Sequence, residues 1–359
     1  MTVNSRYRFL AEVESPRGEQ VGALPLRPDW YPALEWCHFD GLRQGRHMPV
    51  VEAGSAVVEP VWHEDGPPFV GGVRVGMADL DGEAFTCDLP TAYFNDAVEK
   101  ESAALVAGGK LTVGADFKFR VCAYAAPPEA APAAKSNDGT RAAAMEEDDL
   151  EGELVDVGFA TQAMSLASMT EGSRREGTGH WDDADLPVFI PADVIAELRS
   201  MARADALVES GAILIGRLCR DSTGASATAD MFLEVTAQIT ARHTIAAYAS
   251  LTFTGETWSS VNAALALRRR DEMIVGWAHS HPYFCRNCSA AERLFCTLSR
   301  THFSASDVNV HRTVFSHAYQ VALLLSFLGE STPRSDLFAW RTGRIAPRGY
   351  YVSEQDSSD

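Results

Sequence analysis

Two histidines, His279 and His281, stand two residues apart at the end of an apolar run, within the sequence Gly-Trp-Ala-His-Ser-His-Pro at residues 276–282. In an extended segment, residues two apart point to the same side, so both imidazoles can reach one metal ion. Ser304 and Asp307 follow, and their spacing of three places them on one face of a helix that begins there. Two nitrogens and one carboxylate oxygen, with an open fourth position, are typical of a catalytic zinc site.

A hydrolytic zinc site also needs a general base, and the candidate is Glu209, which leads into an apolar run ending at Gly216. With this Glu, the His-x-His-Pro run and the Ser-x-x-Asp run, the sequence resembles the JAMM (MPN-type) metalloproteases. The resemblance implies three zinc ligands, His279, His281 and Asp307. It also implies that Glu209 is the general base and that Ser304 donates a hydrogen bond to the oxyanion.

The resemblance further implies an activity. JAMM enzymes are isopeptidases, so we expect cleavage after the C-terminal glycine of ubiquitin or a ubiquitin-like protein, either from a conjugate or from a precursor. The expected partners are this ubiquitin-like protein, its conjugates and E1- or E2-like proteins of a bacterial conjugation or antiphage system. Two alternatives stay open: a non-catalytic MPN-type scaffold, since fold does not settle function, and release of a sulfur-carrier protein.

An insert separates the two parts of the motif, because position 304 comes 23 residues after position 281, a far wider spacing than the family pattern has. The insert at 283–302 contains four further metal-ligand side chains: Cys285, Cys288, Cys296 and His302. Such a set is sufficient for a second, structural Cys3His zinc site that would order a short segment. The alternative is that these cysteines are ordinary small apolar residues on a short helix. Either way, the insert could shape or block the substrate groove.

A cytidine-deaminase-like zinc site also combines His, Glu and Cys-x-x-Cys. Its signature requires His-x-Glu followed by Pro-Cys-x-x-Cys. Here position 281 is His, and Pro282 is not adjacent to Cys285. The sequence therefore favours the JAMM pattern.

The composition bounds the broader class of protein. With 359 residues, 46% hydrophobic and 22% charged, the chain is expected to form two globular domains. It lacks a run of about eighteen apolar residues, and its N-terminus does not resemble a signal peptide. Seven cysteines, odd in number, indicate a reducing cytoplasm rather than a disulfide framework. A net charge of −18 argues against a nucleic-acid partner.

Charge and turn residues divide the chain. Residues 126–185 carry 4 basic and 14 acidic side chains with few large apolar residues, which predicts an acidic flexible linker. Before it, residues 1–125 read as a β-rich domain for substrate or partner binding, with one helix at 95–107. After it, residues 186–352 are expected to form the JAMM domain, a three-layer, cytidine-deaminase-like α/β (α+β) fold. The polar tail at 353–359 is expected to be disordered.

The elements predicted for the third segment would position the motif residues. They are a strand at 188–190, a helix opened by Pro191, an antiparallel pair at 211–219 and 231–240, a helix at 257–270, a strand at 273–277, a buried strand at 320–327, and a hairpin at 337–345 with Thr-Gly at its turn.

Overall fold

A computed structural model describes the chain in the following ranges: residues 2–51, 55–126, 160–204, 206–223, 231–242, 244–247, 250–282, 289, 303–327 and 332–354. These residues form two compact units. The first contains the described residues up to 38 and from 47 to 126, and the second contains residues 39–46 and those from 160 onward. The architecture is mixed α/β, with several sheets and few helices. No helix in the described part of the chain is long and apolar enough to cross a membrane.

The first unit is built from two sheets. Its strands are β1 (Thr2–Ser5), β2 (Tyr7–Glu14), β3 (Gln20–Leu26), β4 (Ser55–Trp62), β5 (Val70–Ala78), β6 (Ala84–Pro90) and β7 (Lys118–Ala125). One sheet has the order β1-β4-β5-β6 and the other β3-β2-β7. Helix α2 (Asn95–Ala107) confirms the predicted helix, and the unit is rich in strands as expected.

Helix α1 (Tyr31–Arg43) was not predicted. Amphipathic periodicity is the usual signal for a helix, and it needs a polar face. The residues from 32 to 39 are all buried, including the polar Glu35 and His38, so this stretch has no solvent-exposed polar face. Pro32 in the first turn is the signal that could have been used, because proline is favoured at the start of a helix.

The second unit is organised around one long, mixed sheet. Its strands are β8 (Thr161–Met164), β9 (Ser173–Glu176), β10 (Val188–Pro191), β11 (Gly211–Asp221), β12 (Met231–Thr240), β15 (Met273–Ser280), β16 (Val321–Ser326), β17 (Arg334–Arg341), β18 (Arg344–Arg348) and β19 (Tyr350–Ser353). Their order is β18-β17-β16-β15-β11-β12-β10-β19-β9, and β8 pairs with β11 beside this path. A separate hairpin contains β13 (Thr244–Ala247) and β14 (Ser250–Phe253).

The described residues of this unit include the helices α3 (Leu166–Glu171), α4 (Ala192–Ala204), α5 (Gly255–Arg268) and α6 (Ala305–Val314). The predicted helix is present as α4, but Pro191 is the last residue of β10 and the helix begins one residue later, at Ala192. It buries Val194, Ile195 and Leu198 at helical spacing. An apolar cluster on the sheet combines Ile213 of β11, Trp277 of β15, Val261 of α5 and residues of β16 and β17.

The central strands approach each other closely at Gly276. A Cβ atom there would lie 2.0 Å from the carbonyl oxygen of Val321 on β16, so only glycine fits. The β11–β15 register shifts opposite this point, between Leu214 and Ile215. Beyond the shift the ladder runs regularly to the pair Gly211–His279, at the end of the sheet where the predicted ligands lie.

Most of the elements predicted for this unit are present, with shifted ends. The antiparallel pair β11–β12 and the hairpin β17–β18 are confirmed. The hairpin turns at Thr342 and Gly343, whose φ angles of 48° and 74° are those of a type I′ turn. Strand β15 continues to Ser280, three residues farther than predicted, because its last residues pair with both β11 and β16.

The predicted linker is too long at its C-terminal end, which is a correction to the boundary at residue 185. Strand β8 pairs with Leu218–Asp221, and β9 pairs with β19. Acidic composition indicated a linker, but Glu176 is paired with Arg174 at 3.0 Å, and Asp185 is paired with Arg341 of β17. Backbone pairing to an existing sheet edge needs little apolar side-chain area, so composition alone cannot reveal it. Residues 127–159 and 355–359, where the rest of the linker and most of the tail were predicted, lie outside the described ranges.

Candidate metal centre

Three predicted ligands converge at one end of the long sheet. His279 Nε2 lies 3.2 Å from Asp307 Oδ1, and His281 Nε2 lies 3.4 Å from Asp307 Oδ2. The two histidine Nε2 atoms are 3.3 Å apart. All three side chains are buried, with exposed fractions of 0% for His279, 7% for His281 and 6% for Asp307. This group could hold a metal ion.

The separations match the dimensions of a tetrahedral site. Ligand atoms at about 2.0–2.2 Å from a zinc ion stand ~3.3 Å from one another. Each separation by itself would also suit a hydrogen bond. The two histidines approach different oxygens of Asp307, and one ligand atom from each of the three residues lies within 4.8 Å of the other two. The donor set of two imidazoles and one carboxylate suits zinc and related divalent metals.

Sheet pairing fixes the two histidines. His279 is the second-last residue of β15 and lies between Gly211 of β11 and Leu324 of β16. His281 follows the strand, and its backbone N–H donates to the carbonyl of Leu325 at 2.9 Å, which extends the pairing with β16. Because side chains alternate along a strand, both imidazoles emerge on one face of the sheet.

A helix cap fixes the aspartate. Ser304 is the N-cap of α6, and its Oγ accepts a hydrogen bond from the backbone N–H of Asp307 at 3.2 Å. In return, Asp307 Oδ2 accepts from the backbone N–H of Ser304 at 2.7 Å. This reciprocal pair is a capping box, with Asp at the position usually taken by Glu or Gln. It confirms the predicted helix start and leaves Asp307 Oδ1 facing His279.

The pKa of Asp307 reflects these contacts. Burial raises it, but the charge of His279 and hydrogen bonds from His279, His281 and the backbone of Ser304 outweigh burial, and the pKa lies well below the ordinary 3.8. The carboxylate is therefore ionised at neutral pH. An ionised carboxylate is the form that binds a metal ion.

Aromatic packing holds the His279 ring in place. The Trp277 ring stacks on the His279 ring, with centroids 4.5 Å apart and planes 12° apart. Trp277 Nε1 donates to Nδ1 of the buried His311 on α6 at 3.1 Å. Burial lowers the pKa of His311 to about 3, so its ring is neutral and accepts this bond. Trp277 and His311 were not predicted to be parts of the site, because their only signal in the sequence is proximity to the motif.

Glu209 ends the segment that enters β11 and is 5% exposed. Burial raises its pKa from 4.5 to about 7; the charge of His279 lowers the pKa and that of Asp307 raises it. Two of the three ligands, His279 and Asp307, therefore act on the charge of this carboxyl group. A carboxyl group with a pKa near neutrality can both take and give a proton under ordinary conditions.

Ser210, which follows Glu209, is hydrogen-bonded to Ser280 of β15. Neither serine was predicted to be part of the site. Their hydroxyl oxygens are 2.8 Å apart. The backbone N–H of Ser210 donates to Ser280 Oγ at 3.1 Å, and the backbone N–H of Ser280 donates to the carbonyl of Ser210 at 2.9 Å. Ser280 lies between the two histidines in the sequence, but the sequence of an apolar strand does not indicate which distant residue a serine hydroxyl will contact.

The predicted second zinc site cannot be compared with the structure, because Cys285, Cys288, Cys296 and His302 lie outside the described residues. The structure thus brings together His279, His281 and Asp307. Ser304 contacts Asp307, and Glu209 lies two residues before Gly211, the β11 residue that pairs with His279.

Comparisons with known proteins give no family. No protein-family model matches the sequence, and none of the curated proteins matches it. Among solved structures, the chain is similar to the protein DSY2949 from Desulfitobacterium hafniense, determined in solution, at 18% identity. The match covers 47% of this chain and 94% of that one, with a TM-score of 0.30. A likeness at that score does not establish a shared fold.

Proposed function

We propose that the chain is a zinc-dependent isopeptidase of the JAMM type. The observation that supports this best is the buried group of His279, His281 and Asp307, whose ligand atoms lie within 4.8 Å of one another. The buried carboxyl group of Glu209, two residues before the start of β11, is the base in this proposal. The mixed sheet with helices is compatible with the three-layer JAMM fold expected from the sequence.

Zinc suits the three donors, and it would supply a Lewis acid that polarises the scissile carbonyl and acidifies a water molecule. Three protein ligands leave a fourth position for water or substrate. In this assignment Asp307 is the anionic ligand, and its capping box holds the carboxylate in place. Trp277 holds the His279 ring from the opposite side.

The remaining roles concern protons. Glu209 accepts a proton from the attacking water at its carboxylate, and passes it to the leaving amine as the C–N bond breaks. Ser304 Oγ accepts the Asp307 N–H, a bond that does not use the hydroxyl proton. That proton is therefore the donor we assign to the developing negative charge on the carbonyl oxygen.

The proposed substrate is a ubiquitin-like protein cleaved after its C-terminal glycine, either from a lysine or from a C-terminal extension. This part of the proposal follows from the motif resemblance. E1- or E2-like proteins of a bacterial conjugation or antiphage system are the proposed partners. Release of a sulfur-carrier protein would use the same chemistry on a related substrate.

The test is cleavage of two reporters by the zinc-loaded chain: a ubiquitin-like protein fused through its C-terminal glycine to a fluorescent peptide, and the same protein linked to a lysine side chain. We expect Glu209→Gln to keep its zinc and to lose cleavage by at least ~100-fold. Glu197→Gln, at an exposed position on α4, is the matched control and should cleave like wild type. Zinc binding without cleavage of either reporter by wild type would contradict the proposal and favour the scaffold.

A further inference from the structure

The serine between the two histidine ligands contacts the residue that follows Glu209. Ser280 is 1% exposed, and its hydroxyl oxygen contacts two groups of Ser210, the backbone N–H at 3.1 Å and the hydroxyl oxygen at 2.8 Å. Ser280 also donates its own backbone N–H to the carbonyl of Ser210 at 2.9 Å. Three hydrogen bonds thus join one residue of each segment.

One of these bonds acts directly on the backbone of Glu209. The N–H that donates to Ser280 Oγ belongs to the peptide group that joins Glu209 to Ser210. Its orientation sets the direction in which the Glu209 side chain leaves the chain. The regular β11–β15 pairing stops at Gly211 and His279. The contacts between Ser210 and Ser280 extend the pairing of the two segments by one further residue on each.

We propose that Ser280 is a positioning residue. It holds the Glu209 carboxyl group at a fixed distance from His279 and His281, the two metal ligands that flank Ser280 in the sequence. The proposal rests on the function proposed above. A base must be held to a fraction of an ångström, and a misplacement of about 1 Å can cost ~100-fold in rate. Ser280 is well placed for this, because it is covalently bonded to both histidines and hydrogen-bonded to the residue after the base.

The bond geometry separates this role from ligand support. His279 and His281 are held by pairing with β16 and by the stacked Trp277 ring, and neither of these contacts uses the Ser280 hydroxyl. Loss of the hydroxyl should therefore displace Glu209 while leaving the three ligands in place. A change in base position with unchanged metal affinity is the distinguishing signature.

The experiment measures zinc affinity and acetohydroxamate affinity on the full-length chain. Acetohydroxamate chelates a zinc ion and exchanges a proton with a neighbouring carboxyl group, so its affinity reports the position of Glu209. We expect Glu209→Gln and Ser280→Ala each to weaken acetohydroxamate binding about tenfold or more, with the zinc dissociation constant within threefold of wild type. Ser280→Thr keeps the hydroxyl and should restore binding to within threefold.

Two further variants complete the design. Ser335→Ala removes a buried hydroxyl elsewhere in the same sheet, one bonded to Tyr350 at 2.7 Å, and should change neither affinity. Ser210→Ala removes only the hydroxyl-to-hydroxyl bond and should give a smaller loss than Ser280→Ala. It also serves as the test variant if Ser280→Ala does not fold.

The outcomes distinguish this inference from the proposed function. Wild-type acetohydroxamate affinity in both Ser280→Ala and Ser210→Ala, with Glu209→Gln weakened, would overturn the positioning role alone. Loss of zinc from Ser280→Ala but not from Ser335→Ala would also overturn it, because the hydroxyl would then hold the ligands. Absence of zinc from wild type would contradict the proposed function itself, and an unweakened Glu209→Gln would remove the base that the inference requires.

Discussion

At the scale of single residues, the buried carboxyl group of Glu209 destabilises the folded state when it is ionised. Its pKa is raised by burial from 4.5 to about 7. An unfolded chain therefore ionises this group before the folded chain does as the pH rises. The folded state loses stability between pH 4.5 and about 7, and the loss is constant above that range. The difference in pKa corresponds to about 3 kcal/mol.

In metal-free protein, Glu209→Gln should raise the melting temperature above pH 7 by several degrees, because glutamine has no charge to bury. Below pH 4.5 the substitution should have little effect, because Glu209 is then neutral in both the folded and the unfolded state. Differential scanning fluorimetry across pH 4–8 with a chelator present measures this. Glu197→Gln is the exposed control. Parallel curves for wild type and Glu209→Gln would mean that the carboxyl group is not buried as described.

At the scale of elements, the N-terminus of α6 links helix stability to metal binding. Ser304→Ala removes the acceptor for the Asp307 N–H and should cost about 1 kcal/mol of folding stability. Because the same turn carries Asp307, we also expect zinc affinity to fall about tenfold. Ser304→Thr keeps a capping hydroxyl and should retain most of both. Urea unfolding and chelator competition measure the two effects, and an unchanged zinc affinity in Ser304→Ala would separate the cap from the site.

A second element-scale link joins α5 to the sheet through Glu272. Hydrogen bonds from Arg268, and also from Thr236 on β12, lower the pKa of Glu272 from 4.5 to about 2 against the effect of burial. The Arg268 Nη2 to Glu272 Oε1 distance is 2.8 Å, and the Thr236 Oγ1 to Glu272 Oε1 distance is 2.6 Å. Since the folded pKa is depressed, this contribution to stability is complete above pH 4.5 and is lost as the pH falls towards 2.

Glu272→Gln should therefore lower the melting temperature at pH 7, and the difference from wild type should shrink as the pH falls from 4.5 to 2. Thermal unfolding followed by circular dichroism measures the two curves. Glu256→Gln, on the first turn of α5, is the comparison variant. A pH-independent difference would show that the carboxylate charge is not the stabilising feature.

The elements near the motif were predictable because their signals are local. Capping residues, a Thr-Gly turn and apolar runs mark α6, the β17–β18 hairpin and the central strands. Helix α1 lacks a polar face, and β8 and β9 are held by backbone pairing with strands far away in sequence. Those long-range partners cannot be read from composition. The Ser210–Ser280 contact is missed for the same reason, since 70 residues separate its partners.

At the scale of the whole molecule, the second unit begins before the boundary suggested by charge. Its early strands are joined to later ones by packing as well as pairing: the Trp181 ring contacts Tyr351 of β19 with centroids 5.1 Å apart, and the Arg175 guanidinium lies over the Trp181 ring at 4.6 Å. A Cβ atom at Gly349 would lie 2.0 Å from the Trp181 ring. This stretch is therefore folded against the sheet, although its composition resembled a linker.

Hydrogen exchange on the full chain tests this boundary. Amides of β8 and β9 should exchange at least ~100-fold more slowly than an unfolded peptide, because they are paired in the sheet. Trp181→Ala should accelerate exchange in β9 and β19 while leaving β15 and β16 protected. Exchange of 161–176 at the rate of an unfolded chain would restore the linker boundary at residue 185.

The central claim is that His279, His281 and Asp307 bind one zinc ion, and elemental analysis of untagged protein tests it most directly. Wild type, His279→Ala and the matched control His180→Ala are purified identically and reconstituted with zinc. The account predicts that His279→Ala contains one zinc per chain fewer than wild type and that His180→Ala equals wild type. Equal zinc content in wild type and His279→Ala, including none in either, would contradict the metal centre and the hydrolytic function built on it.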